Sequence, residues 1–473
     1  MLFHSFEFIF LLIMAFILFY LFPKKRLWML AIANLVFYGV SGIGYLGIFL
    51  AVSLTTYFCS RKLSSPNGKI YYLIAIIINL GNLVFFKYTG FILRNIEMAL
   101  NIHFPWQDAL LAKIILPVGI SFYTFQLIAY VVDVWRKDIE PCKSFVEFWV
   151  FIAFFAQLIA GPIMRGEEFL PQVAKLKEIK YDERNIRYGL YYIAMGMTKK
   201  LVFADMLAPK VQYYFGQASQ LGTLDSWFAA YLFAFQIYFD FSSYSEIAVG
   251  IGHLFGFKMA INFKTPYLSG NASEFWKRWH ITLSSWIKDY IYIPLGGSRR
   301  GFPMQCVFLL TAMTLSGLWH GAAWGFIVWG IYHGLLSVAH KVYTRMLKGR
   351  NLTFIKSKAY RWITVFVFFQ LTTIGWVFFR AESLQDAIRM VWKMISFSDI
   401  RFSSMYILYF GFIAFLWFLH FAEFAIRNNA HKLINTWRAY CPDYIRAAAY
   451  VMIFITLVMF TQREQSSFIY FQF

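Results

Sequence analysis

Charge is scarce in this chain of 473 residues: only 14% are Asp, Glu, Lys or Arg, where soluble proteins carry about 25%. No stretch of roughly 100 residues holds enough charge to form a large soluble domain. Cysteine is scarcer still. Cys59, Cys142, Cys306 and Cys441 lie far apart and make no CxxC or Cys/His pattern, which excludes a disulfide scaffold and leaves no zinc site to expect. A GxSxG elbow, an HExxH pair and a P-loop are all missing, which argues against serine hydrolases, metalloproteases and P-loop nucleotide hydrolases. No internal repeat and no low-complexity linker breaks the chain, so residues 1–473 are expected to form one membrane-embedded domain.

What is present is apolar and aromatic. Hydrophobic residues make up 60% of the chain and aromatic residues 21%, with a mean hydropathy of +0.55. Disorder, coiled coils and nucleic-acid-binding arrays are excluded, and a polytopic membrane protein is indicated. Lys and Arg number 44 against 24 Asp and Glu, for a net charge of +20. In a membrane protein such an excess marks cytoplasmic loops and contacts to anionic lipid headgroups, and no nucleic-acid partner is expected.

A crossing needs about 20 apolar residues. Runs near 3–22, 27–58 (long enough for a tight pair), 70–88, 112–134, 145–161, 188–206, 224–251, 304–319, 322–340, 360–378, 404–424 and 446–461 predict about a dozen transmembrane or re-entrant segments. The first run lacks a preceding basic region and a small-residue cleavage site, so it reads as a retained helix. Lys24, Lys25 and Arg26 put the first loop in the cytoplasm, and the later basic loops at 341–361 and 425–446 close the map with both termini external. The run 145–161 has basic flanks on both sides. A segment that enters and leaves on the cytoplasmic face satisfies the charge rule, with Gly161-Pro162 as its break.

Chemistry concentrates in three stretches. From Asn271 to Tyr290, capping-box spacing between Asn271 and Glu274 predicts an amphipathic helix starting near Ser273. Trp276, Trp279, His280, Leu283, Ile287 and Tyr290 share one face of it; Lys277, Arg278, Ser284, Ser285 and Lys288 occupy much of the other. Such a helix lies at the cytoplasmic interface, either as a simple anchor or as a carrier of His280 aimed into the protein. The glycine-rich turn Gly296–Gly301 carries Arg299 and Arg300, which suit a phosphate-bearing donor or an ordinary basic loop.

His320 stands in Leu315-Ser-Gly-Leu-Trp-His320, inside a run without formal charge from Cys306 to Val338. An ionisable residue at membrane depth is costly and points to function. His333 follows 13 residues on, about 20 Å along an unbroken helix; it cannot share a site with His320 unless the helix breaks, and it is read as structural. Asp240, within Tyr238-Phe-Asp-Phe-Ser-Ser-Tyr-Ser245, is a third intramembrane ionisable residue, suited to a cavity wall or to a proton or ion pathway. Two histidines, an arginine turn and a polar cavity suggest group transfer onto a hydroxyl. Asp240, Asn271 and Trp319 are the residues expected to line that cavity.

These motifs together resemble the membrane-bound O-acyltransferase family, in its alginate O-acetyltransferase branch. The resemblance rests on Leu116-Pro-Val-Gly-Ile-Ser-Phe-Tyr-Thr-Phe-Gln126, Gly161-Pro-Ile-Met-Arg165, Tyr238 to Ser245, Asn262-Phe-Lys-Thr-Pro-Tyr267, Glu274-Phe-Trp-Lys-Arg-Trp-His280, Tyr290 to Arg299, Gly317-Leu-Trp-His-Gly321 and Phe468-Ile-Tyr-Phe-Gln-Phe473. It runs nearly end to end, and the block 238–334 is its most specific part. Ser243 departs from the glycine more usual there.

The resemblance implies an all-α bundle around a central funnel, with His320 and His280 as the catalytic histidines. Read from their basic side chains alone, Arg278, Arg299 and Arg300 are expected to bind the donor, which the resemblance makes acetyl-CoA or another acyl thioester, with no bound cofactor. It implies transfer of an acetyl group across a bacterial plasma membrane to an exported polysaccharide such as alginate, completed by a periplasmic or extracellular acetyltransferase. D-alanyl transfer from a carrier protein to teichoic acid is the rival chemistry; a polysaccharide or ion channel is the rival of another class.

Overall fold

A computed structural model of the chain describes residues 3, 5–350, 353–400, 403–461, 468 and 469. The described residues contain helices and no strand, as expected where every backbone polar group must be met without water. Among the described residues, six helices are apolar and long enough to cross a membrane: Ile43–Lys62, Gly68–Leu100, Phe302–His320, Lys358–Arg380, Met405–Asn428 and Asp443–Phe460. Phe6–Leu21 and Pro23–Gly39 form a further apolar pair bent by 114°. Large apolar side chains such as Ile77, Ile407, Phe410 and Phe454 stand exposed on these helices, the reverse of a soluble surface. The protein is a multi-pass membrane protein.

The chain divides into two compact units. One comprises Met1–Met195 and Tyr244–Ile261, the other Gly196–Ser243 and Asn262–Phe473. In the first unit, the run expected to re-enter is a short helix, Phe145–Ala153, followed by buried non-helical chain to Arg165. The break falls after Ala153 and not at Gly161-Pro162. Asn34 explains how: its side-chain oxygen accepts the Phe155 N–H at 3.0 Å, meeting a backbone group that the lost helix no longer satisfies. Arg26, counted above among the loop charges, is buried. Its guanidinium donates to the carbonyls of Phe19, Leu176 and Ile179 at 2.9, 3.0 and 2.6 Å.

The second unit holds both motif histidines. Here Phe302–His320 and Trp324–Leu347 pack as a hairpin, with the chain leaving helical geometry between His320 and Trp324. A Cβ on Gly317 would come within 2.2 Å of the Phe326 carbonyl oxygen, and one on Gly330 within 2.5 Å of that of Met313. Small residues at such a seam let two membrane helices approach closely. Gly330→Ala is therefore expected to cost about 1–3 kcal/mol, as overpacking does. The measurement is thermal unfolding of purified protein, and an unchanged midpoint would refute the close-packed seam.

The run 188–206 is not uniformly α-helical. Glu183–Met197 leads into a wide π-type turn, Thr198–Ala204, that carries Lys199 and Lys200 into the interior. Of the terminal motif, Phe468 and Ile469 are described and buried, and Tyr470 to Phe473 lie outside the described residues.

Candidate active site

The Asn271–Tyr290 stretch begins as its sequence predicts. The Asn271 side chain accepts the Glu274 N–H at 2.9 Å and caps a helix, and Glu274 returns a carboxylate oxygen to the Gly270 N–H at 2.9 Å. The helix then stops at Trp276, and a second one runs Ile281–Ile287. One continuous amphipathic face through His280 therefore does not exist. His280 sits in the break with φ +40°, a left-handed conformation that costs a branched or bulky residue free energy and persists only where the surroundings enforce it.

Asn262 supplies that enforcement. Its carbonyl accepts the Ile281 N–H at 3.0 Å. Its side-chain oxygen accepts the Thr282 N–H at 3.2 Å and hydroxyl at 2.6 Å. The Lys264 N–H donates to the Arg278 carbonyl at 2.9 Å, so the two loops are tied on either side of His280.

Glu274 anchors the same motif to the Lys358–Arg380 helix. Arg361 donates to both carboxylate oxygens, at 2.6 and 2.8 Å, and to the Leu268 carbonyl at 2.8 Å. Arg278 pairs with Glu274 at 2.9 Å. Burial alone would raise the Glu274 carboxyl, but the Arg361 and Gly270 hydrogen bonds and the two positive charges outweigh it and hold the group below its usual value. Arg278 thus sits in a structural clamp.

His320 ends its helix at 2% exposure, and His280 is fully buried. Both rings stand against the Trp319 indole, with centroids 5.0 Å from it for His320 and 6.0 Å for His280. Trp329 and Phe379 complete the wall around His320 at 5.0 and 5.2 Å. Phe241 backs His280 edge-on at 4.6 Å. Beyond the helix break before Trp324, His333 lies one turn after Trp329 on the Trp324–Leu347 helix, with the two rings 4.8 Å apart. The condition under which His333 can approach His320 is therefore met.

The structure does not bring Arg299 and Arg300 to the histidines. They are exposed in the turn before Gly301, at the opposite end of the helix that His320 closes, about 28 Å away at 1.5 Å per residue. Asp240 is buried in an ion cluster: it accepts from Lys200 Nζ at 2.8 Å and from the Ile469 N–H at 2.8 Å, while Lys200 also pairs with Asp205 at 2.9 Å. Beside it, Lys199 pairs with Glu423 at 2.7 Å, and Glu423 accepts from Arg427 and from the Tyr238 hydroxyl, each at 2.8 Å. Lys199, Lys200, Glu423 and Trp329 belong to none of the expected site residues. Two adjacent lysines inside an apolar run are the signal that finds the first pair.

A multi-pass helical protein that buries two histidines against one indole, Trp319, has the parts of a membrane-embedded group-transfer enzyme. Residues 142–380 match MBOAT, the membrane-bound O-acyltransferase family. A peptidoglycan O-acetyltransferase of Helicobacter pylori is 35% identical over 408 residues, covering 80% of this chain and 75% of that protein. A probable alginate O-acetylase AlgI of Azotobacter vinelandii is 36% identical over 412 residues, 86% of this chain and 80% of that protein. A teichoic acid D-alanyltransferase of Streptococcus thermophilus is 28% identical over 246 residues, 50% of this chain and 59% of that protein. The chain belongs to the membrane-bound O-acyltransferase family and is an O-acyltransferase.

Proposed function

We propose that this enzyme moves an acetyl group from a cytoplasmic thioester, such as acetyl-CoA, to a hydroxyl of an exported cell-surface polysaccharide. The observation that carries the reading is coverage. Relatives named as O-acetylases or O-acetyltransferases of alginate or peptidoglycan match at least 80% of this chain, whereas the D-alanyltransferase matches half of it. In this reading His320 is the general base. A neutral imidazole takes the acceptor hydroxyl proton as its oxygen attacks the thioester carbon, and the carbonyl electron pair moves onto oxygen. When the C=O bond re-forms, the C–S bond breaks and the thiolate leaves with the proton from His320. His280, across the Trp319 indole, positions the donor.

Arg299 and Arg300 lie where a charged donor head can stay in water while its thioester end runs inward along the Phe302–His320 helix. Basic loops keep that end cytoplasmic in a bacterial plasma membrane with both termini external. A separate extracytoplasmic acetyltransferase takes over the group where the final acceptor is remote.

Mass spectrometry of surface glycans tests the reading, using cells with the gene, without it, and complemented by a His320→Ala copy. Acetyl esters are expected only with the wild-type gene. Unchanged acetylation in the deletion overturns the proposal, and selective loss of D-alanyl esters replaces acetyl by D-alanyl.

A further inference from the structure

Behind His320 lies a group of buried nitrogens that the transfer as described does not use. Trp329 and His333 are both fully buried. Their rings are 4.8 Å apart, and Trp276 lies 5.4 Å from His333 and 5.9 Å from Trp329. The indole N–H of Trp276, the indole N–H of Trp329 and both imidazole nitrogens of His333 are buried without a hydrogen-bond partner among the described residues. Gly375 closes one side of the cell: a Cβ there would come to 2.7 Å from His333 Nε2, so a larger residue would displace the imidazole. Buried polar groups in native proteins are nearly always met, so four unmet nitrogens in one cell call for an occupant.

The chemistry of the cell narrows the occupant. An indole only donates, and a neutral imidazole adds one donor and one acceptor. Three donors against one acceptor suit an atom that only accepts, such as a carbonyl oxygen. Trp329 is the member of the cell that also touches His320, edge-on with centroids 5.0 Å apart. We propose that the Trp329 and Trp276 indole N–H groups form the oxyanion hole of acyl transfer, receiving the thioester carbonyl oxygen as it gains negative charge beside His320, with His333 as the positioning residue between the two indoles. The proposal rests on the acyl-transfer reading of His320 above. Fixed donors in a dry, aromatic-walled site act strongly on developing charge because they need no reorganisation when the charge appears. The electron pair that moves from C=O to oxygen during attack is stabilised there and returns when the C–S bond breaks.

Trp→Phe at 329 and at 276 removes the N–H and keeps an aromatic ring. Full-length protein in lipid nanodiscs is assayed with acetyl-CoA, using surface polysaccharide from the same bacterium as acceptor and free thiol as the readout. Each variant is expected to lose roughly 10²–10³ in kcat, with little change in the KM for acetyl-CoA. A second measurement does not depend on turnover. With the ketone analogue acetonyl-CoA, ¹³C-labelled at its carbonyl, the infrared C=O band is expected at higher frequency in Trp329→Phe and Trp276→Phe than in wild type, because a hydrogen bond to oxygen has gone. Folded variants with wild-type kcat and an unmoved band, alongside an inactive His320→Ala, overturn the oxyanion hole alone. Full turnover in His320→Ala overturns both readings.

Discussion

Full-length protein carrying His320→Ala is expected to reach the membrane at normal levels and to transfer no detectable acyl group. The imidazole is the titratable group at the end of the Phe302–His320 helix, and general-base catalysis contributes about 10²–10⁴ in rate. The helix hairpin does not depend on it. That seam is made by the close approach around Gly317 and Gly330, with His320 packed against the rings of Trp319, Trp329 and Phe379. His320→Gln provides the control, because it keeps a polar side chain of similar reach and removes the base. Loss in both variants, with unchanged thermal midpoints, assigns the effect to proton transfer. Wild-type surface acylation in either variant would sink the role.

His320 is legible in the sequence because nothing around it carries formal charge, so one ionisable group in an apolar run stands out. Asn271 and Glu274 are equally legible, since a capping pair acts over three residues of local chain. The break at His280 is not. No Gly or Pro interrupts Glu274 to Ile287, and helical periodicity continues through it without a flaw. What bends the chain is Asn262, which binds the backbone on the far side of His280 from about twenty residues away. Trp329 is hidden for another reason: an aromatic residue at helical spacing looks like any other core residue. What sets it apart is contact with both His320 and His333, at 5.0 and 4.8 Å between ring centroids.

Lys199 and Glu423 carry the largest expected effect on stability. They are 224 positions apart in sequence and 2.7 Å apart in space, with each side chain about 5% exposed. Neither position alone reveals the other. Removing one member of a buried pair typically costs about 3–5 kcal/mol, because the remaining charge keeps its desolvation cost and loses its counterion. Glu423→Ala takes the carboxylate from Lys199, from Arg427 and from the Tyr238 hydroxyl together. Protein with this change is expected to accumulate poorly and to unfold at a much lower temperature in detergent. The double change Lys199→Met with Glu423→Leu removes both charges and is expected to regain most of that loss, since apolar residues of similar volume often replace a buried pair without penalty. Activity should follow stability only in part. Tyr238 lies one turn before Phe241, whose ring backs His280 at 4.6 Å, so loosening this stretch of helix also loosens the histidine. The double variant is therefore expected to be stable yet slower than wild type. A Glu423→Ala protein that melts with the wild type would show that the pair bears no load in the fold.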